Sequence, residues 1–316
     1  MTIKRNAIAG VTVQQHQVTM ALLTEPLRAP KMIYDAGVTQ QPLAANVVEQ
    51  GVWRDPHAVQ VAIGRCQEAL GESIRRVVMC LADDAVVTAR VPSPERVFAH
   101  QQQAALKETA VQISPWPPEH SVVDWVTCSD GFVSLAVCRK QAVKEAKRCF
   151  ANLNMRLLGI EPESQCHLRL LDWLTPKLDS RPGIFVIAES ARIGISLFVH
   201  GGLIGSYNNV ASEGNPVHTQ RTVLEDLTTA MHQSQLLQSP KPVVLADGAL
   251  VSPVLCSMLN ERLGYEVVDL RIALSAAGLD YKSKPLELSD SSDGVMAVGN
   301  WCGGCGQRAV AFRWVS

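Results

Sequence analysis

The sequence predicts an α/β protein made of two similar halves. Two observations carry this. Each half opens on apolar strands joined by short polar turns, and each continues with helices and strands in alternation. A polar, turn-rich stretch from Pro176 to Pro182 separates them, so a first lobe over 1–180 and a second over 181–316 are expected.

The first half begins with AIAGVTVQQHQVTMALL, Ala7 to Leu23: two apolar strands around the turn Gln14-Gln15-His16-Gln17. A third strand is expected at Lys31–Asp35. Asp55-Pro56 then suits a helix N-terminus, and Val59, Ala62, Ile63, Cys66, Leu70 and Ile74 recur at helical spacing behind it. Arg76–Ala82 reads as a buried strand, and Ala85–Val91 as another that ends at Pro92. Glu95 to Ile113, rich in Ala and Gln, reads as a helix. Prolines 115, 117 and 118 forbid a helix interior, so SPWPPEH is an extended approach to a strand at Ser121–Cys128. Phe132–Cys138 is the next strand. Arg139–Leu153 is an amphipathic helix with Ala142, Val143, Ala146, Phe150 and Leu153 on one face. A short strand at Arg156–Ile160 and a helix from Glu161-Pro162-Glu163 through Leu174 close this half.

The second half repeats the plan with strands at Ile184–Ala188, Gly194–Val199 and Leu203–Tyr207, a helix at Arg221–Leu237 and a strand at Lys241–Leu245. A helix at Leu250–Leu263 closes on Gly264, and a strand follows at Glu266–Asp269. Beyond Ser283 the chain is polar until Val295–Gly299. The repetition is of plan rather than of residues.

Composition narrows the function. The chain has 316 residues, 29 basic against 30 acidic, and no Lys/Arg block, which argues against direct nucleic-acid binding. No stretch reaches the ~20 apolar residues of a membrane helix, and the N-terminus lacks a signal peptide's apolar core, so a cytoplasmic protein is expected. Nine cysteines, mostly inside apolar segments, suit reduced buried thiols. The pair Cys302 and Cys305 has the CxxC spacing but no second pair to complete a zinc site, so no metal is expected and the two read as unbonded thiols. There is no GxSxG, and the eight histidines are scattered, which leaves a Ser/His/Asp or Cys/His hydrolase without support. Asp83-Asp84 reads as a turn rather than as a carboxylate pair. Trp116 and Trp125 either fill a small core or form a binding surface. Trp116, flanked by prolines, is the better candidate for exposure and for the rim of a peptide groove.

Three segments carry a family resemblance: SPWPPEHSVVDW, LAVCRKQAVKEAKRCFANLNMRLLGIEPES and VVLADGALVSPVLCSMLNERLGYEV. Together they resemble the actin/hexokinase-type ATPase superfamily, and within it the PilM family of type IV pilus assembly. Its divergent HofM and ComA relatives, tied to DNA uptake, are more similar still. The resemblance implies an actin-like (ribonuclease H-like) duplicated fold of two lobes, with an FtsA/PilM-type small subdomain inserted at about 85–150. It implies a protein under the inner membrane that captures the N-terminal cytoplasmic peptide of a PilN-type partner and connects to pilus motor ATPases. The cytoplasmic part of a GspL-type secretion component has a similar plan. It continues into a membrane helix where this chain ends on RAVAFRWVS, so a full-length protein of that kind is not expected.

The family's phosphate loops, laid on this sequence, fall on altered residues. The first places Gly10, Thr12 and Gln14 where the family has Gly, Asp and Gly. A threonine lacks the charge that helps hold hydrated Mg²⁺, and a glutamine hinders the close backbone approach to phosphate. The second meets Glu189, which repels phosphate. The adenosine-side turn keeps only Asp247 and Gly248. The expectation is a pseudo-ATPase scaffold without a bound cofactor, with a Mg-ATP-binding protein as the disfavoured alternative. The expected peptide groove lies between the first large subdomain and the inserted one, walled by Val87, Arg90, Val91, Pro115, Trp116 and Trp125.

Overall fold

The computed structural model describes residues 8–24, 34–49, 51–70, 74–82, 85–94, 98–128, 130–174, 182–188, 192–199, 202–210, 222, 225–231, 242–247, 256–257, 259–261, 264, 266–270, 272–273 and 279–280. The chain divides into two compact units, the first running to Cys166 and the second beginning at His167.

The first unit is organised on β1 (Ile8–Val13), in which all six residues are buried. The predicted hairpin forms: β2 (Gln17–Thr24) pairs antiparallel with β1, Val13 opposite Val18 and Ile8 opposite Leu23. The third strand differs from expectation. Strand β3 runs from Tyr34 to Pro42 and pairs antiparallel along β2, well past the apolar residues that announced it. Its Asp35, Ala36, Gly37 and Pro42 have weak strand propensity, and the ladder to β2 overrides that. A two-residue ribbon follows, β4 (Val48–Glu49) on β5 (Val52–Trp53). Gly51 turns it at a φ of 70°, and a Cβ there would meet the Ala85 Cβ at 2.0 Å, so glycine is required.

Helix α1 (Pro56–Leu70) starts as its sequence predicts. Asp55 Oδ1 accepts from the amides of His57 and Ala58, 3.0 Å each, and Pro56 takes the first helical position, which needs no donor. Val59, Ala62, Ile63 and Cys66 are buried against the sheet. Strands β6 (Arg76–Leu81) and β10 (Arg156–Pro162) then add parallel to β1, giving the order β10-β6-β1-β2-β3. Strand β10 includes Pro162, expected to open the next helix. As the sheet's edge strand it need not donate on that side, which is where proline is tolerated.

Between β6 and β10 the chain makes a separate three-stranded antiparallel sheet, β7 (Val86–Pro92), β8 (Ser121–Thr127) and β9 (Phe132–Arg139), ordered β7-β9-β8. Helix α2 (Ala99–Ile113) covers one face: Leu106 and Ala110 pack on Val133, Leu135 and Val137. The other face, with Val86, Val126, Ala136 and Cys138, joins the core of the first sheet. Helix α3 (Lys140–Asn152) returns the chain to β10 and buries Val143, Ala146, Cys149 and Phe150 in that same core. It ends on Asn154 at a φ of 56°. The Asn154 amide bonds Ala151 O, the Met155 amide bonds Phe150 O, and Phe150 and Met155 are both buried beyond the turn, a Schellman stop. Burying a side chain such as Phe150 contributes roughly 1.5–3 kcal/mol. Helix α4 (Glu163–Leu174) follows, its acidic first residue favourable at a helix N-terminus.

The second unit repeats the topology. Strands β11 (Gly183–Ala188), β12 (Arg192–Val199) and β13 (Gly202–Val210) form an antiparallel meander, and β14 (Val243–Asp247) and β15 (Glu266–Asp269) add parallel to β11. The order β15-β14-β11-β12-β13 is that of β10-β6-β1-β2-β3 element for element. Residues 225–231 are helical, with Leu227, Ala230 and Met231 in the unit's core. In the predicted helix before Gly264, residues 256–257 and 259–261 are helical, and Gly264 stops it at a φ of 65°. The predicted strand at Val295–Gly299 lies outside the described residues.

Asp55→Ala removes both side-chain bonds to the start of α1, and a loss of about 1 kcal/mol is expected in urea unfolding. A loss below a few tenths would mean the cap does not hold the helix.

Candidate functional site

In open sheets of this kind ligands bind beyond the carboxyl ends of the strands. At that end of β1 stands the turn Gln14-Gln15-His16-Gln17. The Gln14 amide donates to Gln17 O at 2.9 Å, and the Leu43 amide donates to His16 O at 2.7 Å, so the end of β3 pins the turn. Among the described non-glycine residues positive φ occurs at Asn46 and Asn154, so the turn has no left-handed residue. Successive amides therefore do not form the concave nest that takes an anion, and the Gln14 N–H is committed inside the hairpin.

Two strand positions earlier, Thr12 is 2% exposed and lies opposite Thr19, at 0%. Among the described residues neither Oγ1 has a hydrogen-bond partner. Gly10 and Thr12 share one face of β1, the face away from the Val11 and Val13 core. In the second unit, Asp247 ends β14 beside Ile187 of β11, at the matching carboxyl ends. Glu189 and Gly248 lie outside the described residues, as do Asp83, Asp84, Cys302 and Cys305. Among the described residues no three His, Cys, Asp or Glu side chains converge as a metal site would require.

The expected groove residues fall on two faces of the small sheet. Val87 and Val91 sit opposite Val137 and Val133, and Trp125 opposite Leu135, all on the α2 face. Val91, Trp116 and Trp125 are half-buried against the α2 cluster. Trp116 lies under the Arg139 guanidinium at 5.5 Å, while its neighbour Pro115 is exposed. Ser114 fixes that loop: its Oγ donates to Trp116 O at 2.9 Å and accepts from the Trp116 amide at 3.1 Å. Arg90 points to the opposite face, since it pairs in register with Ser134. There it forms an ion pair with Asp130 and stacks over Phe132 at 4.2 Å. Strands β7 and β8 are the two edges of this sheet with β9 between them. The six residues thus form an α2-side group and a separate Arg90 site.

Other polar groups escaped the sequence reading. Glu161, Glu163, His167 and Arg169 are all buried around the start of α4. The His167 ring stacks on Phe185 with centroids 4.1 Å apart, and its Nδ1 lies 3.3 Å from Ser196 Oγ. Only the folded chain brings Ser196 to His167. The thiols of Cys66, Cys138 and Cys149 are each pushed up to about 12 by burial. Burial raises Cys128 as well, with the Arg90 charge pulling the other way.

No protein-family model and no curated protein sequence matches the chain. Solved structures do. A chain of a PilM–PilN type IV pilus biogenesis complex superposes with a TM-score of 0.69 at 16% identity, over 95% of this chain and 99% of that one. The fold is actin-like. A Bacteroides thetaiotaomicron protein with an actin-like ATPase fold gives a TM-score of 0.52 at 10% identity, over 86% of this chain and 95% of that one. The cytoplasmic domain of EpsL, an inner-membrane component of the Vibrio cholerae type II secretion system, gives 0.52 at 9% identity, over 98% of each. Within this actin-like fold β7–β9 with α2 form a module inserted between β6 and β10.

Two predictions follow from the buried groups. Thr12→Val removes a hydroxyl that has lost water without gaining a partner, so unchanged or slightly raised stability is expected, by up to about 1 kcal/mol. A clear loss in thermal melts would mean the hydroxyl is bonded in solution. The three raised thiols favour the neutral form in the folded state. Their contribution is complete below pH 9, and it is lost as pH rises from 9 towards 12, at roughly 1 kcal/mol per pH unit per thiol. Urea unfolding across that window checks the slope, and variants with Cys66, Cys138 and Cys149 replaced by Ala or Val should flatten it.

Proposed function

We propose that the chain is a PilM-like cytoplasmic scaffold of a type IV pilus-type machine. It binds the N-terminal cytoplasmic peptide of a PilN-type inner-membrane partner, and it does so without tight nucleotide binding. The observation that supports this most is the match to a chain of the PilM–PilN complex over nearly the whole of both chains, small inserted module included. Among the described residues no helix is long and apolar enough to cross a membrane, consistent with recruitment through a partner. Kinship with the DNA-uptake relatives HofM and ComA, and contact with motor ATPases, belong to the same proposal and rest on the sequence resemblance.

The pseudo-ATPase part rests on the turn after β1. Phosphate recognition there needs free backbone amides in a concave array, and this turn spends its Gln14 amide on Gln17 and has no left-handed residue. Thr12 brings no charge to neutralise or orient Mg²⁺. The EpsL likeness, complete in coverage, favours a second reading as a type II secretion component of the same architecture. In that second reading the chain corresponds to the cytoplasmic part of an inner-membrane component rather than to a protein recruited by one.

The peptide would meet the module on its Arg90 side, because that face of the small sheet turns toward the core of the first sheet. The α2-side tryptophans then support the groove rather than line it.

Calorimetric titration with Mg-ATP is expected to give no heat and no melting shift. A ligand at 100 times its dissociation constant would add about 2.7 kcal/mol, well within reach of a melt. One-to-one binding would replace the scaffold with a nucleotide-loaded switch. Titration with the partner's N-terminal peptide should give saturable binding that Arg90→Ala weakens about tenfold or more and Trp116→Ala weakens less. The reverse order would move the groove to the α2 face.

A further inference from the structure

The outer face of α3 is basic. Lys140, Lys144, Lys147 and Arg148 are all exposed, and at 100° per residue they fall within about 100° of arc, opposite the buried Val143, Ala146, Cys149 and Phe150. They span nine residues, eight helical steps or about 12 Å of helix. The chain as a whole is nearly neutral, with 29 basic and 30 acidic residues, so this is a local concentration. It escapes a search for contiguous Lys/Arg blocks because the charges are spaced at helical period.

Among the described residues no acidic side chain pairs with it. Among the described residues the ion pairs are Arg54–Glu49 and Arg90–Asp130, and none of the four α3 cations takes part in one. Glu145, the one acidic residue on the helix, accepts instead from Gln141 Nε2 at 2.8 Å. The placement opposes helix stability. Lys140 and Lys144 stand near the N-terminal, positive end of the helix dipole, and the last turn, where cations would help, carries none. Lys140/Lys144, Lys144/Lys147 and Lys144/Arg148 are like-charge pairs at helical-neighbour spacing.

Helix α1 lies beside α3 in the same layer, with Asn152 Nδ2 bonded to Gln60 Oε1 at 2.9 Å. Its outward residues add His57, Arg65, Glu68 and the exposed apolar Val61. The layer thus presents a two-helix surface with five cations, Glu68, and the imidazole of His57 as the ring among its described residues. Single-stranded nucleic acid would call for a series of stacking platforms, and this surface offers His57 alone among its described residues. A flat, diffuse anionic surface needs only point charges on long side chains.

We propose that the α1/α3 face docks on anionic phospholipid headgroups, holding the first unit against a membrane without insertion. The apolar face of α3 is committed to the core, so the attraction is electrostatic. This does not depend on the peptide-capture reading, since it needs no partner protein.

The test is co-sedimentation of the whole chain with vesicles of phosphatidylcholine alone or with 30 mol% phosphatidylglycerol. Binding is expected only to the anionic vesicles, and it should vanish in 1 M NaCl, where the Debye length is about 3 Å. Each near-surface cation is worth about fivefold in affinity, so Lys144→Glu/Lys147→Glu/Arg148→Glu should lose about 100-fold or more. The matching Gln variants should lose less, and Lys107→Glu on α2 should change nothing. Melting curves check that the variants, all at exposed positions, remain folded. No binding to anionic vesicles at low salt, or binding that the α3 variants leave intact, overturns the proposal. So does duplex DNA outcompeting the vesicles for wild type but not for the triple variant, which would assign the face to nucleic acid.

Discussion

The fold depends on β1 being buried along its whole length between an antiparallel and a parallel neighbour. An antiparallel neighbour can be reached through a tight turn, and β2 is. A parallel neighbour demands a crossover, and α1 supplies it before β6. The hairpin turn and the end of β6 therefore come together at one end of the sheet. The second unit meets the same constraint on β11, with β12 antiparallel and β14 parallel, and arrives at the same strand order. Two chain segments with little residue similarity converge because the pairing problem is the same.

The inserted module exploits the one long connection this topology leaves open. The crossover from β6 to β10 needs a helix on the sheet, and α3 is that helix. The β7-β9-β8 sheet and α2 are looped out ahead of it. Strand β9 is buried on both faces because it serves two cores: Val133, Leu135 and Val137 face α2, while Ala136 and Cys138 face the main sheet. That shared strand couples the module mechanically to the lobe. It also explains why Arg90, alternating with Val91 on β7, belongs to a different surface from the tryptophans.

Much of this was legible in the sequence, and the misses have physical causes. The β1–β2 hairpin, α1 with its Asp55-Pro56 start, the strand after the triple-proline segment and the Glu266–Asp269 strand all follow from apolar period and stop signals. Strand β3 did not, since its Asp35, Ala36, Gly37 and Pro42 disfavour a strand and join one only by pairing with β2. The inclusion of Pro162 in β10 depended on β10 being an edge, a tertiary fact. At the candidate site, sequence spacing could place Val87, Arg90 and Val91 on one strand. Assigning them to faces required the register with β9. The His167–Ser196 contact joins residues 29 apart and leaves no local pattern.

On the proposed reading, the turn after β1 is where such a fold could shed its chemistry and keep its shape. The hairpin register is set by the side-chain pairs Val13/Val18, Val11/Met20 and Ala9/Leu22, all facing the buried core. A one-residue slip would turn that apolar set to the other face, so the strands hold the register whatever the turn contains. A glycine in the turn serves a ligand by freeing amides. Without a ligand it only adds flexibility to the unfolded chain. On that reading, a residue that closes the turn on itself, as the Gln14 amide does on Gln17, keeps the strand register and takes an amide away from any anion. Fold and nucleotide chemistry are therefore separable at this position, and an actin-like framework can persist as a scaffold whose surfaces carry the function.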